Sequence, residues 1–560
     1  MKEIINKILK IDRFVWLFLG VAALILWQLL LPGYVLTLDM VFTPETKVVL
    51  SETSYNNFLP LSYLIHFLNT LIPSWIIQKI VLFILFFNLG YLSFKFLPLP
   101  KNETVRLFSA LVYTANPFVY SRFLAGHWTH LMAYALLPVF VHFLFEFTKQ
   151  PNFRSSLKLF FSVFLISLFS LHFFAMATMI MTVWFLCHFI KYLARDNLAL
   201  LKLALKNLIL GGLLFAVVSA YWLIPAMNLK QLFEQRFDIK HWQAFAASNH
   251  DKINTTLNVL SLNGFWGEGQ LWSKQFAWPQ DYVVFWVAFG LIGLLILIGA
   301  IDGFKNKKIR PVIIFFSILG FFAFVFSTGV GETIFKNFNL WLYKNISFWS
   351  GFRDSQKFSG LLALSYAVLS GFGVMTIIDF LNKKKKDLAN NLNPLIFLIP
   401  ILLGFLIWGG FQKQIKPVWY PEAWNQARNI IRADNSNYKV LFLPWHGYLS
   451  LNFNNNLLVA NPASYFFGER AVVSRSIELE KIYDQEQDPG YVNLDKVVRG
   501  DSSLSFDEVI DFFIKQNIKY IIYLQDLRGV DNLQYEFLTS NRLKQIIMDK
   551  QLIMYEIEAD

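Results

Sequence analysis

Three clusters of ionisable residues in this 560-residue chain have the types and spacing to do chemistry. The first centres on Asp39, in Tyr34-Val35-Leu36-Thr37-Leu38-Asp39-Met40-Val41-Phe42-Thr43-Pro44-Glu45, directly after the first long apolar stretch. A carboxylate between apolar neighbours resists solvation, which predicts a raised pKa of the kind a general base needs. The plainer alternative is an acid that caps a turn or faces water. The second cluster runs from Asn116-Pro117 to His130. Asn-Pro stops a helix and delivers Arg122 and His127, each able to meet a phosphate, beside Trp128. Its alternative is a helix end anchored by Arg122, with Tyr120 and Trp128 in an interfacial aromatic belt. The third is Gly351-Phe352-Arg353-Asp354-Ser355-Gln356-Lys357-Phe358, two cations suited to an anionic head group, or else an internal ion pair of Arg353 or Lys357 with Asp354.

Other chemistries lack their residues. His172 and His188 fall in or between apolar runs, and neither has a carboxylate at ligand spacing on its own helix, so a metal site is not supported. Cys187 is alone, which removes a disulfide framework and a Cys-based zinc site. There is no Walker A motif, no Gly-rich dinucleotide turn and no GxSxG, so nothing suggests an ATPase, an oxidoreductase or an α/β-hydrolase.

The elements that must position these clusters are membrane helices. The chain is 55% hydrophobic and only 16% charged, too greasy for the surfaces of several soluble domains. Its apolar residues gather in eleven runs, near 14–33, 75–97, 104–120, 129–148, 157–173, 174–192, 203–227, 282–301, 311–329, 358–381 and 394–411, each of a length to cross roughly 30 Å of hydrocarbon. Threading eleven spans from a cytoplasmic N-terminus puts every cationic group on one side. These groups are Lys2, Lys7, Lys10 and Arg13; Lys95, Lys101 and Arg106; Lys149, Arg154 and Lys158; Lys191, Arg195, Lys202 and Lys206; Lys305, Lys307, Lys308 and Arg310; and Lys383 to Lys386. That distribution accounts for the net charge of +12 by topology and not by nucleic acid. The first run lacks a small-residue cleavage site and reads as a retained helix. The Lys-, Asn- and Phe-rich composition is compatible with a bacterium of low GC content, whose plasma membrane the spans are expected to cross.

On this topology the helical membrane part occupies 1–411, with outer loops 34–74, 228–281 and 330–357. The first loop holds Asp39, Glu45, Glu52 and an amphipathic stretch from Phe58 to Leu68, expected to lie in the interface as a helix. The second is rich in Trp and His, with Arg236, Asp238, His241, Trp242, His250, Asp251, Trp266 and Glu268. Residues 412–560 read as an extracytoplasmic α/β domain. Its expected elements are a helix from Pro421 to Arg432, a strand at 439–444, a helix opened by the capping box Ser505-Phe506-Asp507-Glu508, a strand at 520–524, a helix near 539–549 and a strand at 552–557.

The segments Asp39-Met40-Val41-Phe42-Thr43-Pro44, Asn116-Pro117-Phe118-Val119 through Gly126-His127-Trp128, and Phe352-Arg353-Asp354-Ser355-Gln356-Lys357, in this order, resemble the polytopic GT-C glycosyltransferases. Within these, the likeness is to the membrane α-(1→3)-arabinofuranosyltransferase-like proteins and their bacterial relatives. It covers roughly the whole membrane portion. The resemblance implies a sugar transferase with a polyprenyl-phosphate donor, a glycan or other envelope acceptor, and an acidic residue of the first outer loop as catalyst, which falls on Asp39. On that scheme Arg122, His127, Arg353 and Lys357 hold the phosphate, and Glu45, Trp128 and Asp354 stand on the acceptor side. The chain is far shorter than the actinobacterial arabinofuranosyltransferases. It also lacks an Asp-x-Asp in the first outer loop, which lowers the case for an essential divalent metal; the expectation is that no cofactor is required and that a divalent metal, though open, is not supported by the sequence. Two rivals remain: a transporter or flippase of lipid-linked glycans, and a non-catalytic envelope scaffold.

Overall fold

The computed structural model describes residues 12–46, 48, 56–194, 197–228, 238–251, 253–384, 394–479, 482–484, 488–500, 504–525, 527 and 535–558. Lys2, Lys7, Lys10, Glu52, Arg195, Arg236, Lys385 and Lys386 lie outside these residues. Helix α1 (Arg13–Leu26) leads to the Asp39 segment, and an exposed helix α2 (Leu59–Asn69) follows it. Then come α3 (Ser74–Phe96), α4 (Glu103–Thr114), α5 (Pro117–Leu124), α6 (Trp128–Lys149), α7 (Phe153–Phe169), α8 (Leu171–Ala194) and α9 (Leu198–Val218). After the long loop, α10 (Val283–Lys305), α11 (Arg310–Ser327) and α12 (Ser359–Lys384) complete the large helices, before a final apolar segment, Pro394–Phe411.

Among the described residues nine helices are long and apolar enough to cross a membrane, not eleven. The runs at 104–120 and 157–173 do not qualify. Asn116 explains the first case. Its side-chain N–H groups donate to Val112 O and Tyr113 O, closing α4, while its Oδ1 accepts from Val119 N at 3.1 Å, opening α5 with Pro117 in the first turn. The two pieces still carry the chain from end to end of the bundle. Twenty helical residues rise about 30 Å, and Asp39 and His127, which flank α3, α4 and α5 in sequence, meet in space. The second case, α7, is a 17-residue helix that ends at Ser170, where the chain turns into α8. Arg13 at the start of α1 bonds Glu103 at the start of α4, so this cation-bearing end is opposite Asp39.

Helix α2 has no buried residue and exposes Tyr63, Leu64 and Phe67, as an interfacial helix does. It is fastened to the Asp39 segment where His66 Nδ1 donates to Thr46 O at 2.6 Å.

The C-terminal part opens with α13 (Glu422–Ala433) and then β1 (Lys439–Leu443), β2 (Tyr448–Ser450), β3 (Leu458–Ala460), β4 (Ala471–Val472), β5 (Ile477–Leu479) and β6 (Ile482–Asp484). Helices α14 (Pro489–Arg499) and α15 (Phe506–Lys515) precede β7 (Ile518–Leu524), β8 (Leu543–Met548) and β9 (Leu552–Ile557). The main sheet has the order β4-β1-β7-β9-β8, parallel from β4 to β7 and antiparallel from β7 to β8. The expected helix near 539–549 is instead the edge strand β8. Its backbone bonds go to β9, and only one side of an edge strand is buried, so its mixed apolar and polar residues fit either period. The capping box at Ser505 and Glu508 forms as expected.

Side-chain alternation along β1 places Val440 and Phe442 on one face, in a core continuous with the helical bundle. Leu441 and Leu443 go to the other face, under α14 and α15. The two parts are also joined by backbone bonds: Tyr34 N donates to Val418 O at 2.7 Å, and Val418 N returns to Tyr34 O at 2.9 Å.

Candidate active site

Asp39 sits on a tight turn clamped from two sides. Within the turn Met40 N donates to Thr37 O at 2.7 Å. On the bundle side, Thr37 Oγ1 donates to Leu124 O at 2.5 Å and Asp39 N to Ala125 O at 3.2 Å. On the other side, Leu38 N donates to Leu458 O at 2.9 Å and Ala460 N to Leu38 O at 2.7 Å, so β3 adopts Leu38 as an extra bridge. The bundle side depends on Gly126. It has φ +76°, and a Cβ there would fall against Met40 N, Thr37 O and the Asp39 carbonyl carbon. Gly126→Ala is therefore expected to cost at least about 1–2 kcal/mol from the left-handed backbone alone. Thermal unfolding in detergent reads this directly, and an unchanged melting temperature would contradict the clamp.

The Asp39 carboxylate is 39% exposed, so a substrate can reach it. Its Oδ2 lies 3.0 Å from His127 Nε2, and its Oδ1 accepts from the Tyr448 hydroxyl at 2.7 Å. Burial pushes the carboxyl up, but the bonds from His127 and Tyr448 and the charge of Lys357 outweigh it and leave Asp39 below its ordinary value. This corrects the expectation of a raised pKa. The apolar neighbours Leu36, Leu38 and Met40 are buried in the core and do supply desolvation. The two donors come from chain segments far away, beyond the sight of local composition.

His127 is itself held from behind. Arg122 Nη1 lies 3.3 Å from His127 Nδ1, and a guanidinium only donates. Nδ1 is thus the acceptor and Nε2 carries the hydrogen aimed at Asp39. Arg122 is fully buried. It makes a two-pronged pair with Asp354 (Nη1–Oδ2 2.5 Å, Nη2–Oδ1 2.9 Å), and Nη2 also donates to Gln356 Oε1 at 2.5 Å. Phe265, from the 238–281 loop, covers the guanidinium with its ring 4.8 Å away. That loop is organised by buried Glu268, which accepts from Gly264 N, Phe265 N, Asn258 and Gln280.

Of the expected phosphate ligands, Arg122 is therefore not placed to meet a phosphate, because both its Nη groups are engaged and no solvent reaches it. Asp354 leaves the acceptor side for the same reason, as the buried partner of that guanidinium. Lys357 is the better-placed cation: its Nζ lies 3.8 Å from Asp354 Oδ2 and 3.1 Å from His172 Nε2, and its charge is felt at Asp39. His172 Nε2 is also 3.0 Å from Gly351 O. Arg353 stacks its guanidinium 4.6 Å from the Phe245 ring. Trp128 packs between Phe42 and Phe58, tying α6 to the first loop. Glu45 does not join the site; it pairs with Arg432 of α13.

Tyr448 carried no signal in the sequence. It opens the short strand β2 of the α/β part, and only the docking of β2 and β3 onto the first loop brings it to Asp39. His130 was likewise passed over; it is buried between His127 and His172, with Nδ1 3.0 Å from Ser170 Oγ. Among the described residues, one set of potential metal ligands converges: His250, Asp251 and Asp281, with ligand atoms within 4.8 Å of one another. None of the three is a partner of Asp39, and His250 Nε2 is already bonded to Asp281 at 2.7 Å.

No protein-family model and no curated protein matches the sequence. Solved structures do match the shape. The arabinofuranosyltransferase AftD from Mycobacteria superposes with a TM-score of 0.63 at 13% identity, over 98% of this chain and 40% of that one. Its mutant R1389S, class 2, gives 0.63 at 13% identity over 98% and 42%. The chain shares its fold with AftD. The chain spans less than half the length of AftD, and the shared fold takes in the α/β part as well as the bundle. The oligosaccharyltransferase AglB from Archaeoglobus fulgidus, solved with an inhibitory peptide and a dolichol-phosphate, aligns over 91% of this chain and 69% of its own at 11% identity. Its TM-score is 0.40, too low to bear on this chain.

Proposed function

We propose that this GT-C protein transfers a sugar from a polyprenyl-phosphate donor to a glycan or other envelope acceptor, at the outer face of a membrane. The observation that carries the reading is Asp39, a reachable carboxylate kept ionised by His127 and Tyr448 at the end of the bundle away from the cationic turns. The positive-inside bias makes that end extracytoplasmic. Asp39 takes the proton of the acceptor hydroxyl as its oxygen attacks the anomeric carbon. The bond from that carbon to the phosphate oxygen breaks on the opposite face, so the configuration inverts. The leaving phosphate gains negative charge, which Lys357 and Arg353 stabilise. A nucleotide is not needed, since the phosphate ester of the donor is the leaving group. The prenyl chain lies among the exposed apolar side chains of the bundle, and the α/β part receives the acceptor.

Because Asp39 lies below the ordinary carboxylate value, it is ionised at neutral pH and becomes protonated only as the pH falls through its own depressed value. The acid limb of the rate profile is therefore expected below about pH 4. A midpoint near neutrality would show that the titrating base is another group.

The class test uses purified protein in detergent with radiolabelled polyprenyl-phosphate sugars and a mixed glycan acceptor pool. Label moving to acceptor with the wild type and not with Asp39→Asn supports the reading. Equal transfer by both would keep the class and remove Asp39 from the chemistry.

A further inference from the structure

The Asp39 carboxylate has two donors, and they come from different halves of the molecule. His127 belongs to the bundle. Tyr448 belongs to the α/β part, 409 residues away, yet its hydroxyl makes the shorter of the two bonds. We infer that Tyr448 is a positioning residue of the transfer site, by which the α/β part fixes the orientation and the charge state of the base. The inference rests on the reading of Asp39 as that base.

Tyr448 is not a surface side chain that happens to reach an acid. The segment leading to it is pinned at every residue. Trp445 N donates to the Tyr535 hydroxyl at 2.7 Å, and Trp445 Nε1 to Asp495 Oδ1 at 2.7 Å. His446 Nδ1 bonds Glu478 Oε2 at 2.7 Å, and Glu478 also pairs with Arg499. Asn461 donates its backbone N–H to Gly447 O at 2.8 Å and its side-chain N–H to His446 O at 3.0 Å. Tyr448 then begins β2, whose partner β3 holds Leu38, the residue before the base. One hairpin therefore grips the Asp39 turn by its backbone and its carboxylate by a side chain.

The chemical consequence follows from what each donor can do. His127 is wired with Arg122 behind it, so it offers Oδ2 one N–H and nothing else. The Tyr448 hydroxyl holds Oδ1, which fixes the plane of the carboxylate. Each oxygen keeps a lone pair for the acceptor hydroxyl. A donor to the ionised form favours that form. Removing the phenol oxygen should leave Asp39 more basic and less well oriented, a pairing of effects that loss of packing alone does not produce.

Tyr448→Phe removes one oxygen from a side chain that is 39% exposed, which leaves the ring packing intact. Tyr448→Leu provides a second variant without the hydroxyl. Wild type, both variants and Asp39→Asn, each in lipid nanodiscs, are titrated by infrared difference spectroscopy. The Asp39 signal is the protonated-carboxyl band that Asp39→Asn lacks. Both Tyr448 variants are expected to raise its midpoint by roughly one pH unit, the tenfold change that loss of one charge-assisted hydrogen bond brings. The acid limb of transfer should move up with it. An unchanged midpoint overturns the inference. The readout needs no substrate, so the two ideas fail separately. Undiminished transfer by Asp39→Asn removes the base assignment, while an inactive Asp39→Asn with an unmoved midpoint in Tyr448→Phe removes only Tyr448.

Discussion

Asp39→Asn will lower transfer by about 10²–10⁴, the usual contribution of a positioned general base, with the protein still folded. The substitution changes one atom's chemistry and little else. Asparagine keeps a carbonyl oxygen that accepts from either His127 or Tyr448, and the turn is held by backbone bonds that the side chain does not make. The amide cannot take a proton from the acceptor. Rate falls while the melting temperature stays near wild type, and the two measured together separate lost chemistry from lost fold. A variant that melts normally and transfers normally would leave the geometry around Asp39 without a role.

Asp354→Ala will act in the opposite way, through stability. It leaves the Arg122 guanidinium fully buried with its counter-charge gone, and removing one partner of a buried ion pair costs about 3–5 kcal/mol. Gln356 remains on Nη2, but an amide oxygen carries no compensating charge. Replacing both partners, Arg122→Met with Asp354→Leu, should recover part of the melting temperature because no buried guanidinium is then left without its counter-charge, while Gln356 Oε1 and Lys357 each lose a partner. It should not recover transfer. His127 Nδ1 loses the donor that fixes its tautomer, and the hydrogen on Nε2 is no longer guaranteed to Asp39. A single Asp354→Ala that melts with the wild type would show the pair to be dispensable.

The parts of this protein that read well from sequence are those decided locally. Apolar length gave most of the membrane helices, and the capping box at Ser505 marked a helix start that the structure has. Asn116 and Pro117 marked a break correctly, but the local rule did not show that one asparagine both ends α4 and opens α5, so the run around it looked like one span. The 539–549 segment failed because an edge strand shows only a weak period. The site followed the same division. Asp39, Arg353 and Lys357 stood out as charges in an unusual setting for an outer loop, whereas His127, expected to meet a phosphate, has its ring nitrogens turned to Asp39 and Arg122. What these residues do to one another was not visible. Arg122 and Asp354 are 232 positions apart, and their pairing turned an expected phosphate ligand into the support of His127. The pKa of Asp39 was misjudged because desolvation is legible in neighbouring residues, whereas hydrogen-bond donors from α5–α6 and from β2 are not.

On the proposed reading, one lipid-borne sugar phosphate lies between Asp39 and the cations at Lys357 and Arg353. That placement is tested most directly by an electron cryo-microscopy structure of Asp39→Asn with a polyprenyl-phosphate sugar. The prediction is density for the phosphate against Lys357, the prenyl chain leaving between helices, and the anomeric carbon turned toward residue 39 with room for an acceptor hydroxyl between them. A sugar bound midway along the bundle, or at the end that holds Arg13 and Glu103, would contradict it and favour passage of the lipid over transfer of its sugar.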